Sequence, residues 1–517
     1  MPAPYQSLAG YGPDAAARFT PVTPTFTAAT PHFQPMPAAV PPTPATASLT
    51  ATSKEGVIPA TAFGLNAAAF DGLLLDTTGR GLLQSLPLRV FRYPGGSTSD
   101  AFHWQTTTIT PNLPPNQQGY VNPNDTFDSL MTTLVQPLGG QALVTVNYGS
   151  NAAGTGGGDP TEAANWVAYA KSKNYGVKYW EIGNEVYGSM YGMTYEVNLH
   201  ATKTPTQYGQ DVATYISAMK AQDSTIKCGV VLCAPGSFPD GVAPDWNSSV
   251  LAACGTVIDF VIVHWYTTQN PGSESDAILL GQPDSIGTPT TGLMAKIKAV
   301  ITAGCGANAP NVGIWLTEVN SAPYNVGKQT IHHVNGLFAA DALMTFLENG
   351  AANVCWWAYH NGISDSASRS PVARTLAGAD NRGVYGDYGL LSNGNGSNTY
   401  KEIVEPGANT PYPTYYALQA LTAFCTVGDT MVAASTGIPN LVCHQTRRAD
   451  GSTGVLLINR DPSLTYQVAL TASGVTLGAR YSGVLYGGQQ FRNTPIQGAT
   501  ATGVTVPPLS LVAVTAR

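Results

Sequence analysis

Short apolar runs alternate with longer amphipathic segments along the chain, starting near residue 60. Eight of these runs have the length and apolar content of strands buried on both faces. They are residues 61–66, 88–96, 142–149, 177–184, 226–234, 258–266, 312–320 and 352–360. Most are separated by segments with apolar residues at three- and four-residue spacing, which is typical of helices packed on a sheet. The pattern predicts an α/β fold, a (β/α)₈ TIM barrel.

An open, doubly wound sheet is the rival architecture for the same alternation of strands and helices. It would be favoured by a GxGxxG turn after the first strand, because that turn brings a nucleotide phosphate close to the backbone. The chain reads FGLNAAAFDG at this place. The barrel is therefore the preferred prediction.

The two ends of the chain have different patterns. Residues 1–45 are dominated by Pro, Thr and Ala without apolar periodicity, which predicts an extended arm. Helical patterns stop near residue 424, and short alternating runs separated by turn residues predict a C-terminal antiparallel β-sandwich over residues 425–517. The barrel is assigned to residues 46–424, with residues 46–58 as a candidate strand of the sandwich.

Composition narrows the classes of function. Only 11% of the 517 residues are charged, the net charge is −7, and Lys and Arg do not cluster, which argues against a nucleic-acid partner. No apolar run approaches the roughly 18 residues of a membrane span. The composition predicts a neutral, hydroxyl-rich surface, which favours a secreted protein. The N-terminal sequence does not have the pattern of a signal peptide. A secreted chain whose signal peptide has been removed would begin this way, and so would a cytosolic protein. No pattern indicates an oligomeric state.

Cysteine and histidine spacing gives no sign of a metal or a cofactor. The seven cysteines include no CxxC pair, and the eight histidines include no HxH or HExxH motif. Most cysteines lie in apolar runs, so we expect small buried side chains, with one or two disulfides as the alternative. The prediction is a protein without metal or cofactor.

Polar residues collect where the predicted strands end. In a TIM barrel the active site lies at the carboxyl ends of the strands. These ends carry Arg92, Asn184, Glu185, His264, Tyr266, Glu318, Trp357, Tyr359 and His360. Two carboxylates on separate strands are the groups that glycosidic bond hydrolysis needs, and aromatic faces suit sugar rings. Glu181 lies within its strand, so we expect it to be a buried structural acid.

These motifs resemble retaining glycoside hydrolases of the large clan A. EIGNEVYG is similar to the clan's Asn-Glu motif after strand four, and IWLTEVNS to its nucleophile motif after strand seven. LRVFRYPGGSTSDAFHW is similar to a segment of α-L-arabinofuranosidases, a family 51-like feature. TEVNS is closer to the β-xylosidase and β-glucuronidase families, which are 39- and 79-like. HWY after strand six and the final strand VTVPPLSLVAVTAR extend the resemblance over residues 60–517.

The resemblance implies a role for each matching residue. Glu185 would be the acid/base and Glu318 the nucleophile, and Asn184 would bind the sugar 2-hydroxyl. Arg92 would lie beneath Glu318. A further group would contribute to substrate binding: His264 and Tyr266 on the floor of the site, Trp357 as the wall of the sugar subsite, and Tyr359 and His360 at its rim.

The implied substrate is a plant cell-wall polysaccharide or its oligosaccharides, with α-L-arabinofuranosidase as the best single prediction. Endo-β-1,4-glucanase or xylanase activity and β-xylosidase or β-glucuronidase activity are the alternatives. A carbohydrate-binding protein without catalysis is a more remote alternative, because the pair Glu185 and Glu318 is intact. A metal-dependent hydrolase is equally remote, because the histidines are scattered.

Overall fold

The computed structural model describes residues 42–114, 117, 119–267, 275–323, 329–362, 386–394, 405–473, 477–487 and 490–517. Most of the predicted N-terminal arm, residues 1–41, lies outside this range. The first strand is β1, Thr43–Val57. It precedes the barrel in the chain but joins the C-terminal sheet, where it lies between two strands of that sheet.

Eight parallel strands close into a barrel in chain order, as the alternating pattern predicts. They are β2 (Phe63–Asn66), β3 (Val90–Tyr93), β6 (Gln141–Val146), β7 (Tyr179–Ile182), β8 (Lys227–Val231), β9 (Phe260–Tyr266), β10 (Gly313–Asn320) and β11 (Asn353–Trp356). A small hairpin of β4 (Phe102–His103) and β5 (Thr108–Ile109) follows β3. The TIM-barrel prediction is confirmed.

Each of the eight predicted runs overlaps one barrel strand, and the strands are shorter than the runs. Five of the runs continue past the end of their strand into the loop that follows it. After β3, for example, Pro94 offers no backbone N–H, and Gly95 and Gly96 have φ values of 80° and 59°. These features end strand pairing and turn the chain across the barrel opening.

Helices surround the barrel, and six of those in the described residues are capped at their start by a Ser, Thr or Asp side chain. They are α1 (Thr77–Leu83), α2 (Phe127–Ser129, continued by a π-helical turn over Leu130–Val135), α3 (Pro160–Ser172), α4 (Pro205–Gln222), α5 (Trp246–Cys254), α6 (Asp276–Gly281), α7 (Leu293–Gly304), α8 (His333–Glu348) and α9 (Pro413–Phe424). In α3, Asp159 accepts a hydrogen bond from the N–H of Thr161, and Pro160 occupies the first helical turn.

The C-terminal region folds as one nine-stranded sheet that encloses its own apolar core. Its strands are β1 together with β12 (Thr430–Ser435), β13 (Leu441–Arg447), β14 (Thr453–Asn459), β15 (Tyr466–Ser473), β16 (Arg480–Gly487), β17 (Gln490–Ala499), β18 (Val504–Val506) and β19 (Ser510–Ala516). The pairing is antiparallel except between β1 and β15, which run parallel. Since the whole barrel lies between β1 and β15 in the chain, no hairpin dictates the direction of β1.

A buried charge network joins this sheet to the barrel through helix α8. Arg460 donates to the Asp341 carboxylate at 2.6 Å, and His444 lies 2.8 Å from Glu348. Both acids belong to α8, which is buried along most of its length. Paired charges at such an interface fix the relative position of the two layers, because removing one partner leaves the other buried without compensation.

Two further properties of the described residues bear on the sequence analysis. None of their helices combines the length and apolar character needed to cross a bilayer. All seven cysteines are buried free thiols.

Candidate active site

Glu185 reaches the barrel opening because the chain leaves β7 through two residues with positive φ. Gly183 has φ 76°, and a Cβ there would lie 2.7 Å from Val186. Glu185 itself has φ 38°, a left-handed conformation that residues with a side chain rarely adopt. Strained backbone of this kind persists where the surroundings fix it, and it concentrates at functional sites. The turn directs the Glu185 side chain over the end of the barrel.

Glu318 is placed by an irregularity in β10. Leu316 pairs with Val263 of β9, whereas Glu318 pairs with the next residue, His264, so Thr317 is an extra residue in the ladder. Such a bulge re-aims the side chains that follow it. The Thr317 backbone oxygen accepts a hydrogen bond from the Asn66 side chain at 2.9 Å, which fixes the bulge.

Arg92 lies at the floor of the site and organises the acids around it. Its side chain is fully buried. It donates to Glu181 Oε2 at 2.6 Å, Asn66 Oδ1 at 3.0 Å, Glu318 Oε1 at 2.8 Å and Asn184 Oδ1 at 2.8 Å. Burial by itself lowers the pKa of Arg92, but the two carboxylates outweigh that effect and raise it above its ordinary value. A permanent positive charge therefore lies beneath Glu318.

Both oxygens of Glu318 are held by donors. Oε1 accepts from Arg92, and Oε2 accepts from the Tyr266 hydroxyl at 2.6 Å. The carboxylate has only a small exposed fraction, 5% of the residue, so its orientation is fixed and one edge faces the opening. The two donors therefore hold the Glu318 carboxylate in a single orientation.

Glu185 lies opposite Glu318, with His264 between them. His264 Nδ1 is 2.8 Å from Glu185 Oε1 and 3.6 Å from Glu318 Oε2. One oxygen from each carboxylate and the imidazole nitrogen all lie within 4.8 Å of one another. Burial raises the pKa of Glu185, but hydrogen bonds from His264, Tyr195 and Tyr187 outweigh burial and lower it.

Trp357 is packed against the Pro-Gly-Gly turn and belongs to an apolar cluster that Tyr266 also contacts. A Cβ on Gly96 would lie 2.6 Å from Cη2 of the indole, so only glycine allows this close approach. Phe70 packs against Trp357, with ring centroids 6.4 Å apart. That Trp357 forms the wall of a sugar subsite stays a prediction.

The structure does not bring Tyr359 and His360 to the carboxylates. Tyr359 has no exposed surface, and its ring packs 4.1 Å from that of His360. The His360 ring lies 2.7 Å from Asp71 and 3.0 Å from Asn409. Both side chains point into the packing behind the barrel end, because β11 stops at Trp356 and the chain turns away before it reaches them.

Glu181 lies inside the barrel, below the site. Its Oε2 accepts from Arg92 and from the Thr145 hydroxyl at 2.7 Å, and the side chain has no exposed surface. The polar residues that the sequence analysis did not single out are Asn66, Asp100, Thr145 and Glu196. Asn66 is the last residue of the first barrel strand, and this position at a strand end could have marked it as a candidate site residue. The other three lie in loops or inside a strand, where no sequence pattern marks them.

Glu185, His264 and Glu318 also have a spacing that a divalent ion could use. The contacts of Glu318 oppose that use. Arg92 and Tyr266 each donate a hydrogen bond to one oxygen of Glu318. The Arg92 guanidinium, 2.8 Å from this carboxylate, carries a positive charge that would repel a metal cation bound there. The arrangement suits two carboxylates with different tasks.

Comparison with known proteins is consistent with this arrangement. The sequence profile "Glycosyl hydrolase family 79, N-terminal domain" matches residues 124–343, a range that contains both Glu185 and Glu318. The chain resembles clan A glycoside hydrolases. It is 24% identical over 343 residues to Heparanase-like protein 2 of Arabidopsis thaliana, a match that covers 66% of this chain and 54% of that protein. It thus spans about half the length of this relative.

A second relative comes from another family. The chain is 25% identical over 220 residues to Probable alpha-L-arabinofuranosidase C of Aspergillus clavatus, covering 36% of this chain and 39% of that protein.

Solved structures show the same fold at low identity. An alpha-L-arabinofuranosidase from Thermotoga maritima aligns with a TM-score of 0.63 and 17% identity over 91% of this chain and 99% of its own. The GH51 alpha-L-arabinofuranosidase from Thermotoga petrophila aligns with a TM-score of 0.66 and 16% identity over 92% of this chain and 100% of its own. Both matches extend through the C-terminal sheet. They support the fold of the whole described chain.

Proposed function

We propose that this chain is a retaining glycoside hydrolase in which Glu185 is the acid/base and Glu318 the nucleophile. The observation that carries the proposal is the proximity of the two acids, with an oxygen of each within 4.8 Å of the other. Retaining enzymes hold their carboxyl groups about 5–5.5 Å apart, and inverting enzymes need about 6.5–9.5 Å to admit a water molecule. The two acids also differ in their contacts: Glu318 accepts from Arg92 and Tyr266, whereas Glu185 lies 2.8 Å from His264.

In the first step, a Glu318 oxygen attacks the anomeric carbon of the bound sugar. The bond from that carbon to the leaving oxygen breaks, and Glu185 transfers its proton to that oxygen. Arg92 and Tyr266 hold Glu318 in line for the attack. His264 contacts Glu185 at 2.8 Å and holds its carboxyl group toward the leaving oxygen.

In the second step, water releases the sugar from Glu318. Glu185, now a carboxylate, takes a proton from the water as its oxygen bonds to the anomeric carbon. The ester bond to Glu318 breaks, and both carboxyl groups return to their starting state. The Asn184 amide, anchored by Arg92, lies beside the sugar position and is suited to bind its 2-hydroxyl.

The proposed substrate is an α-L-arabinofuranoside of a plant cell-wall polysaccharide or oligosaccharide. The matches to Probable alpha-L-arabinofuranosidase C and to arabinofuranosidase structures over more than nine-tenths of this chain support it. The mainly neutral surface composition also suits a neutral polysaccharide.

The second candidate is hydrolysis of a β-glucuronide. It is favoured by the family 79 profile and by the match to Heparanase-like protein 2. The two candidates share the mechanism above and differ in the sugar that occupies the site.

The test is a panel of nitrophenyl glycosides with matched variants. We expect release of nitrophenol from the α-L-arabinofuranoside, with β-D-glucuronide and β-D-xyloside as comparisons and arabinan, xylan and β-glucan as polymers. Glu185→Ala and Glu318→Ala should each remove nearly all activity, and azide should rescue only Glu185→Ala with substrates that have good leaving groups. Wild-type turnover of none of these glycosides would refute the proposal, as would a Glu318→Ala variant with comparable activity.

A further inference from the structure

A third acid, Glu196, folds back into the site from the loop that follows Glu185. Only 1% of it is exposed. Its Oε1 accepts hydrogen bonds from the Ser97 hydroxyl at 2.7 Å and from Asn184 Nδ2 at 3.0 Å. The mechanism above gives this carboxyl group no task, yet it contacts a residue that lies beside the sugar position.

The charges around Glu196 are mostly negative. Asp100 from the loop after β3, Glu185 from its own loop and Glu318 from β10 all act on it, and all three are acids. The nearby cation is Arg92, whose hydrogen bonds go to Glu181, Asn66, Glu318 and Asn184. His264, the other nearby basic group, contacts Glu185. No cation pairs with Glu196 among the described residues.

The hydrogen bonds of Glu196 are one-sided. Both donors reach Oε1, and Oε2 is buried without a hydrogen-bond partner in the described part of the chain. A buried carboxylate is stable when a cation or several donors compensate its charge on both oxygens. A proton on Oε2 removes the uncompensated charge and leaves Oε1 free to accept both hydrogen bonds.

The electrostatics agree with this geometry. Burial, followed by the charges of Asp100 and Glu185, raises the pKa of Glu196 well above its ordinary value, and the Ser97 hydrogen bond opposes this only in part. Asp100 is in a similar position: burial raises its pKa to about 8, although the backbone N–H groups of Asn184 and Tyr148 lower it. Burial thus raises the pKa of both acids that lie behind Glu185.

We propose that Glu196 is a positioning residue: an uncharged carboxyl group that holds the Asn184 amide in the orientation that binds the sugar. Arg92 fixes Asn184 Oδ1, and Glu196 takes one of the two Nδ2 hydrogens. The remaining Nδ2 hydrogen is then directed toward the substrate. Since Glu196 is uncharged, it does so without adding a negative charge beside Glu185 and Glu318. The link to the sugar rests on the proposed function, whereas the charge state of Glu196 does not.

Two variants separate the uncharged state from the hydrogen bond. Glu196→Gln keeps an acceptor at Oε1 and carries no charge, so kcat/KM should stay within about threefold of wild type and the alkaline limb of its pH profile should not move. Glu196→Ala removes the acceptor and should lower kcat/KM about tenfold, mainly through KM. The loss should shrink in an Asn184→Ala background, because both changes remove the same interaction.

Glu162→Gln is the control, since Glu162 is a partly buried acid of helix α3, away from Asn184 in its contacts and paired with His103 at 3.0 Å. It should change the melting temperature without any change in the pH profile or in the coupling to Asn184.

An infrared difference spectrum of wild type against Glu196→Gln reads the charge state without turnover. The difference spectrum should contain the carbonyl band of a protonated carboxylic acid that wild type has and Glu196→Gln lacks at neutral pH, whereas bands of other acids, such as Asp100, cancel. Absence of that band from the difference spectrum would overturn the inference, as would an alkaline limb that moves to lower pH in Glu196→Gln or a Glu196→Ala loss that adds fully to that of Asn184→Ala. If Glu196→Ala fails to fold, the spectrum and the pH profile of Glu196→Gln decide. A wild type that shows the band but cleaves no glycoside would refute the proposed function instead.

Discussion

Glu181 and Glu318 bind the same guanidinium, and replacing each by glutamine should separate a structural acid from a catalytic one. Glu181 is fully buried, and its Oε2 accepts from Arg92 and Thr145. Glutamine has nearly the same shape and keeps one oxygen for these donors. The change therefore removes a charge and leaves the packing in place.

The expected loss of stability follows from the bonds that change. A hydrogen bond to a charged group contributes about 1.5–3 kcal/mol and a neutral one about 0.5–1.5 kcal/mol, so Glu181→Gln should cost about 1–2 kcal/mol. Glu181→Ala should cost about 3–5 kcal/mol, because it removes the charge and also leaves the buried donors of Arg92 and Thr145 without their acceptor. Arg92 keeps its bond to Glu318 in both variants, so the nucleophile remains oriented.

Calorimetry and kinetics on the same preparations provide the assay. The melting temperature should fall by a few degrees for Glu181→Gln and further for Glu181→Ala. The kcat of the folded Glu181→Gln protein should stay within about fivefold of wild type, which corresponds to about 1 kcal/mol. Glu318→Gln removes the other carboxylate that compensates Arg92 and should lower the melting temperature by a similar amount, but it should also lose at least about a thousandfold in kcat. A stably folded Glu181→Gln protein without turnover would show that this reasoning selects the wrong acid.

Three further predictions concern the wall, the acid/base and the interface. Gly96→Ala should lower the free energy of unfolding by about 2–5 kcal/mol, because alanine is strained in the left-handed conformation and its Cβ would overlap Trp357. The same change should raise KM. A wild-type unfolding free energy together with a wild-type KM would contradict the packing described. His264→Gln should move the alkaline limb of kcat/KM to higher pH, because it removes a group that lowers the pKa of Glu185; a shift to lower pH would contradict that role. The pKa of His444 is raised from 6.5 to about 10, so the stabilisation by its positive charge should be complete below pH 6.5 and lost as the pH rises through about 10. The melting temperature should therefore fall less across that pH range in His444→Gln than in wild type. Equal slopes of melting temperature against pH would refute this.

The order of the barrel strands and the positions of the candidate residues at strand ends were predictable from the sequence, because both follow from local patterns. Eight apolar runs separated by helical segments leave few alternatives to a closed barrel, and residues such as Glu185 and Glu318 lie directly after two of them. Glu181 was separable from Glu185 on position alone, since it precedes the strand end.

The parts that local patterns do not determine are those set by long-range contacts. The inward direction of Glu318 depends on the extra residue Thr317 in the ladder with β9, and a bulge leaves no mark in apolar spacing. Tyr359 and His360 follow the last barrel strand in sequence, but the chain turns away before it reaches them. Glu196 is far from any strand end, and only the fold of its loop brings it against Asn184.

The parallel pairing of β1 with β15 is a further case. The composition of residues 43–57 is compatible with a strand, but it does not predict which strand, more than 400 residues away, will pair with it. Such pairings are selected by the packed core and by the space left between two other strands of the sheet.

The central claim is that Glu185 and Glu318 cleave a glycoside by double displacement, and the configuration of the first product tests it most directly. Proton NMR during early hydrolysis of 4-nitrophenyl α-L-arabinofuranoside, or of whichever glycoside the panel selects, identifies the anomer before mutarotation mixes the two forms. The separation of the two carboxyl groups predicts that the first product has the same anomeric configuration as the substrate. An inverted first product would contradict the assignment of Glu318 as nucleophile.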